Sequence, residues 1–278
     1  MNRPVLRYHG GKWNLAPWII SHFPKHRIYV EPFGGAASVL LRKPRSYAEV
    51  YNDLDGEVVN LFRVLRNPTQ ARELVRQVKL TPYAREEFDL SYITDGDPIE
   101  QARRTCFRFS AGFSSAGSGK YRTGFRNNAN RSGTTPAGDW AGYPAVLAAV
   151  AERMAGVTIE QRPAVDLVEV FDGQETLFYC DPPYPYSTRN ERHAGSVYRH
   201  EMTDDDHRTL AAALHACAGM VVVSGYACDL YDRELYADWQ RVERATHGDG
   251  ARDRIEVLWI KPNTIIAQPA LFNHQEAA

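Results

Sequence analysis

The sequence predicts a doubly wound α/β protein with an inserted, mostly helical and loop-like region. Three observations predict it. The first sixty-odd residues follow the order β–loop–α–β of a nucleotide-binding unit. A stretch rich in Gly, Ser, Thr and Asn at 110–143 then interrupts the regular pattern. Beyond it, short β-prone runs again alternate with helical ones.

Each element has a local cause. Arg27 to Val30 is a short β-prone run, and Glu31 to Gly35, reading Glu-Pro-Phe-Gly-Gly, is a turn. Ala36 to Leu41 is apolar and helix-like, Tyr47 to Tyr51 is β-prone, and Asp55 to Leu65 has helical periodicity. From 69 to 109 the pattern is helical, with Tyr, Phe and Leu on one face. After the break come a helix at 144–155, strands near 157–161 and 176–180, a helix at 204–217 and a strand from Met220 to Ser224. Thr203 before Asp204, Asp205 and Asp206 is a strong helix start. Its hydroxyl caps free N–H groups, and the acids favour the positive end of the dipole. Gln240 to Ala245 and Arg254 to Ile260 predict an antiparallel pair at the sheet edge. The expected division is a catalytic part at 1–66 and 144–278 with an insertion at 67–143.

Composition narrows the function. A chain of 278 residues, 44% hydrophobic and 24% charged, is long enough for one large α/β domain or one carrying a smaller insertion. No apolar run reaches bilayer length, and Met1 to Tyr8 lacks a signal-peptide core, so no membrane partner and a cytoplasmic location are expected. Cys106, Cys180, Cys217 and Cys228 have neither zinc-site nor disulfide-framework spacing, and the histidines have no metal-ligand spacing. A net charge near −1 argues against a protein that coats nucleic acid indiscriminately.

Asp181-Pro182-Pro183-Tyr184 directly follows the apolar run Thr176 to Cys180. Proline fixes its own φ and pushes the preceding residue towards an extended conformation. Asp181 is thereby expected at a strand's C-terminal edge, where open α/β sheets bind ligands. A carboxylate and a proline carbonyl beside an aromatic ring suit a planar heterocycle with an exocyclic amino group. Phe33-Gly34-Gly35 lets backbone approach a ligand at a helix start. Asp53 falls roughly twenty residues on, where an acid reaches ribose hydroxyls. The pyrophosphate pattern G-x-G-x-x-G is absent, which favours a ribose ligand without phosphate, S-adenosylmethionine foremost. Lys12 would pair with that ligand's carboxylate, and Asp166 would accept from its adenine amino group.

From Arg103 to Gly138 the chain carries seven basic residues and no acid, interleaved with aromatics. This predicts a local positive field for duplex DNA. Lys120, Arg122, Arg126 and Arg131 would neutralise phosphates, and Asn127 and Asn128 would read base edges. Ser187 to His200 forms a second candidate contact loop, with Arg189 and Tyr198.

Together Tyr8-x-Gly-Gly-Lys12, Glu31 to Gly35, Asn52-Asp53 and Asp181 to Tyr184 resemble the motif set of the Dam-type, α-arrangement, adenine-specific DNA methyltransferases. The resemblance covers roughly 5–66 and 160–262. It implies a Rossmann-like methyltransferase sheet and S-adenosylmethionine contacts at Tyr8, Gly11, Lys12, Glu31, Pro32, Phe33, Gly34, Gly35, Asp53, Asp166, Leu167 and Asp181. It implies catalysis by Asp181, Pro182, Pro183 and Tyr184 on a flipped adenine stacked on Tyr184, without a metal. Ala36 and Ala37 stand where many members have a further glycine, which is tolerable unless that backbone needs φ > 0. Amino methylation of cytosine or of RNA, and a catalytically silent DNA-binding protein, stay open as alternatives. So do monomer and homodimer, and a role in restriction-modification, regulation or a phage.

Overall fold

The computed structural model describes residues 3–113, 122–128, 133–189, 198–247 and 253–267. Seven strands form a single sheet: β1 (Ile28–Glu31), β2 (Ala48–Asn52), β3 (Thr158–Glu160), β4 (Thr176–Cys180), β5 (Met220–Gly225), β6 (Gln240–His247) and β7 (Asp253–Ile260). Their order is β3-β2-β1-β4-β5-β7-β6. The first five run parallel, and β7 is antiparallel to both β5 and β6. The architecture is Rossmann-like. The antiparallel pair lies where the sequence places it, with β6 on the edge.

Alternate residues of each strand enter different cores. Tyr29, Tyr51, Leu177, Tyr179 and Val222 join one apolar cluster, and Val30, Val50, Phe178, Cys180 and Val223 the other. Burial on both faces explains why the central strands read as continuous apolar runs rather than alternating ones. One face is covered by α9 (Ala164–Phe171) and α10 (Asp204–Ala216), through Leu167, Val168, Leu210 and Leu214. The other is covered by α2 (Ser38–Arg42), α3 (Gly56–Arg66) and α8 (Tyr143–Met154). The chain leaves β1 towards β2 and β3, then returns to add β4 and β5 on the other side. The crevice at this reversal is where such sheets bind ligands. It sets the turn after β1 beside the tetrapeptide after β4.

The predicted starts of the helices after Asp55 and Thr203 hold, and side-chain capping explains them. Thr203 Oγ1 accepts from the Asp206 N–H at 3.2 Å, while Asp206 Oδ2 accepts from the Thr203 N–H at 2.8 Å. The helical stretch 69–109 resolves into α4 (Pro68–Leu80), α5 (Arg85–Leu90) and α6 (Pro98–Ala111). Leu74, Val78, Phe88 and Phe107 of this stretch share the core cluster with Leu61 and Phe62 of α3 and Leu147 of α8. Among the residues after α6, Gly112 bridges Phe125, and α7 (Pro136–Ala141) follows.

One expectation is corrected. The helix expected from Ala36 begins at Ser38, because Ala37 takes φ 54° and Gly35 φ 46°. The alanine standing in place of a glycine therefore occupies a left-handed position, at about 1–2 kcal/mol for an L-residue. Its methyl is fully buried in the core. The sequence reading also lacked α1 (Ala16–Ser21), α9 and α11 (Pro262–Ile266), each short or starting without a side-chain cap.

Candidate active site

The glycine turn is shaped by its neighbours. A Cβ built on Gly34 would lie 2.2 Å from Tyr51 Cε2, so only glycine fits against that buried ring. The Gly34 N–H donates to the Asn52 carbonyl at 2.7 Å, and Tyr51 Oη donates to the Gly35 carbonyl at 2.7 Å. Asp53 accepts from the Gly35 N–H on Oδ2 and the Asp55 N–H on Oδ1, each at 2.8 Å. Burial raises its carboxyl to about 6 despite these two donors. Asn52 joins the turn to the loop after β3, donating to the Pro32 and Arg162 carbonyls.

Glu31, at the end of β1, is buried. Its Oε2 accepts from Tyr29 Oη and the Leu40 N–H, each at 3.1 Å. Burial pushes its carboxyl up to about 8, and no cation among the described residues lies at ion-pair distance. An acid so placed can ionise against a positively charged ligand group.

Across the crevice, Asp181 uses one oxygen for the protein. Its Oδ1 accepts from Ser224 Oγ and from Lys12 Nζ, each at 2.9 Å. No contact among the described residues engages Oδ2. Lys12 is 4% exposed and also donates to Tyr184 Oη at 2.6 Å and the Gly10 carbonyl at 2.9 Å. Burial opposes its charge, but Asp181 and Glu256 outweigh that and raise the ammonium above its ordinary value. The two ends of the motif set thus meet in one ion pair.

The turn after β1, the Tyr8 to Lys12 loop, Asp53 and Asp181 to Pro183 line a single cleft. Tyr8, Gly11, Lys12, Glu31, Pro32, Phe33, Gly34, Gly35, Pro182 and Tyr198 are all on its wall. Residues 198–202 complete it. Arg199 holds them to the start of α3 through Asp55 at 3.2 Å and Glu57 at 2.8 Å, and Glu201 pairs with Arg189 at 2.6 Å.

Several expected placements differ. Lys12 is engaged by Asp181 and Glu256 rather than standing free for a ligand carboxylate. Asp166 is exposed on the first turn of α9 and Leu167 is in the core, so neither lines the cleft. Tyr184 is 6% exposed, edge-to-face with Tyr226 at 4.6 Å, and outside the cleft lining. Arg189 is bound to Glu201 and the Tyr184 carbonyl, not displayed for phosphate.

The acid-free run is not a continuous positive field. Arg103 pairs with Glu87 and Glu100 at 2.6 Å, Arg104 with Glu100 at 2.7 Å, and Arg108 with Glu57 of α3. Arg126 is buried beside Asp139. Helical spacing and neighbouring helices supply the acids that the linear run lacks. Arg122, Asn127 and Asn128 are exposed, with Arg122 paired to Asp89. Lys120 and Arg131 lie outside the described residues.

Glu256 on β7 is the residue the sequence reading missed. Its one signal was a carboxylate inside the apolar run Ile255 to Ile260. It is 3% exposed, and burial raises its carboxyl while Lys12 lowers it.

A Rossmann-like sheet whose glycine turn, buried acid and strand-end Asp181-Pro182-Pro183 face one cleft is the arrangement of a methyltransferase class. The model of the D12 class N6 adenine-specific DNA methyltransferases matches residues 8–247, and the chain belongs to that family. It is similar to the DNA adenine methylase of Salmonella typhi, 29% identical over 195 residues, 66% of this chain and 65% of that one. It is also similar to those of Escherichia coli (strain K12), 33% over 110 residues, covering 36% and 38% of the two chains, and Vibrio cholerae serotype O1 (strain ATCC 39541), 35% over 69, covering 25% and 24%. The chain spans 65% of the length of the Salmonella protein it matches.

Proposed function

We propose that this protein transfers a methyl group from S-adenosylmethionine to the exocyclic amino group of an adenine in a specific duplex DNA sequence. The observation that carries the reading is Asp181. Its Oδ1 is fixed by Lys12 and Ser224, and its Oδ2 is left without a described partner on the wall of the cleft that the glycine turn also lines.

The residues fit the cofactor. Gly34 keeps the wall free of a side chain, Asp53 offers a carboxylate for ribose hydroxyls, and Glu31 has no described cation at ion-pair distance. When bound, S-adenosylmethionine supplies an activated methyl on a sulfonium that carries its own leaving group. The protein's task is then to orient the acceptor. An adenine amino nitrogen is a poor nucleophile because its lone pair is delocalised into the ring. Accepting its N–H bonds at Asp181 Oδ2 and the Pro182 carbonyl favours a more pyramidal nitrogen and frees the lone pair. Holding reacting atoms about 3–3.5 Å apart and in line supplies much of the acceleration. Asp181 Oδ2 is also placed to take the proton the nitrogen sheds. The base must leave the duplex first, at a cost of a few kcal/mol. As placed, Tyr184 braces Lys12, so stacking by its ring would need that ring uncovered.

We assign residues 67–143 to target recognition, because among the described residues of this stretch α4 and α6 pack on α3 and α8 and contribute no strand to the sheet. Digesting labelled product DNA to nucleosides tests the reaction. Label in N6-methyl-2′-deoxyadenosine is expected. Label in a methyl-2′-deoxycytidine would transfer the reading to cytosine, and label taken up by RNA but not by DNA in a parallel assay would exclude DNA.

A further inference from the structure

We propose that Glu256 is a positioning residue for methyl transfer, acting on Asp181 through Tyr184 and Lys12. It lies beyond the residues that the family model matches, and the inference rests on the function proposed above.

The hydrogen bonds have only one polarity. A lysine ammonium donates and never accepts. Tyr184 Oη accepts from Lys12 Nζ at 2.6 Å, so its single proton is left for Glu256 Oε1, also at 2.6 Å. Lys12 then spends its other donors on Asp181 Oδ1 and the Gly10 carbonyl. Glu256 Oε1 stands 3.4 Å from the ammonium as well. The direction runs from Lys12 through the tyrosine to Glu256, and it fixes which Asp181 oxygen is occupied.

Burial makes the arrangement consequential. Lys12 and Glu256 are 4% and 3% exposed, so an ammonium left short of a carboxylate would not be rescued by water. With Asp181 as sole counter-charge, Lys12 would be drawn towards that carboxylate. Asp181 Oδ2 would lose both its orientation and part of its electron density for the amino group. Arg244 stands opposite Glu256 on β6, but contacts Trp18 instead. No other described cation pairs with Glu256.

The test is Glu256→Gln in the full chain, assayed with unmethylated duplex DNA and radiolabelled S-adenosylmethionine. The glutamine can still accept from Tyr184 Oη, so the fold should be kept, with a lower thermal midpoint because a buried counter-charge is lost. The expected result is a fall in kcat of about 10- to 100-fold, the scale of one charge-assisted hydrogen bond, with KM for DNA changed less than about threefold. Tyr184→Phe cuts the same chain at its middle. The double variant should therefore be no slower than the slower single variant. Wild-type kcat in Glu256→Gln, or losses that multiply in the double variant, would overturn the proposal. So would a matched rise in KM alone. If Glu256→Gln does not fold, the Tyr184→Phe and Glu256→Asp pair gives the same cycle. Failure of the wild-type protein to methylate adenine would instead sink the proposed function, a separate outcome.

Discussion

Gly34 sits so close to Tyr51 that any side chain on it would strike the ring, with the first carbon 2.2 Å from Cε2. Tyr51 is fully buried, packs at 4.6 Å and a tilted angle against Phe62 and donates to the Gly35 carbonyl, so it has nowhere to retreat. The turn and the strand beside it are thus shaped as one unit. Gly34→Ala is expected to destabilise the fold by roughly 1–3 kcal/mol, the usual cost of overpacking. Binding of S-adenosylmethionine should weaken at the same time. Thermal melting with and without the cofactor checks both; an unshifted melt would mean the turn yields freely.

Glu31 should make cofactor affinity depend on pH. Its carboxyl is neutral at pH 7 in the free protein, since burial raises it to about 8. A cationic ligand group beside it favours the ionised form, so binding releases a proton and tightens as pH rises towards 8. The expected slope is at most about tenfold per pH unit, read between about pH 6 and 7, below the titration of the ligand's own α-amino group. Calorimetry in two buffers of different ionisation enthalpy counts the proton. Glu31→Gln should bind more weakly and show no slope from this group. Without ligand, the same raised acid lowers stability as pH rises from its ordinary 4.5 to about 8, because the unfolded chain ionises first.

Replacing Asp181 with asparagine keeps the shape and removes the charge. We expect kcat to fall by about 100-fold or more while cofactor binding stays within a few-fold. Single-turnover methyl transfer measures the step directly. An unchanged rate would remove Asp181 from the reaction.

Two arginines of the acid-free segment should behave differently. Arg126 is buried against Asp139, so Arg126→Ala should lower the melting temperature. Arg122 is exposed, so Arg122→Ala should leave the melt alone and reduce the salt slope of DNA binding by about one. Asp89→Asn, which frees Arg122 of its partner, should tighten DNA binding. Equal effects on the melt would contradict the assignment.

Much of this site was legible because its parts are local. A glycine turn after a strand, an acid twenty residues on and a strand-ending Asp-Pro-Pro-Tyr each carry their geometry in a few consecutive residues. What escaped reading depends on packing across the chain. Glu256 has no motif around it, and it matters only because β7 runs antiparallel beside β5 and turns that carboxylate towards Lys12. The pairing of Arg103 and Arg108 escaped reading for the same reason, since Glu87 and Glu57 come from outside the segment. Ala37 shows a third kind of limit. Nothing in its identity announces a left-handed backbone, which the close approach of the turn to β2 imposes.

The pairing of Lys12 with Asp181 and Glu256 also has an order in time. A ribosome delivers the lysine near the start, the aspartate past the middle and the last carboxylate only after the rest of the sheet. A nascent chain that already carries the glycine turn and the tetrapeptide still holds an ammonium with one counter-charge where two are needed. Until β7 slots between its neighbours, such a chain would possess every recognisable motif and yet be a poor catalyst. If Glu256 positions Asp181 as proposed, competence arrives only when β7 has joined the sheet.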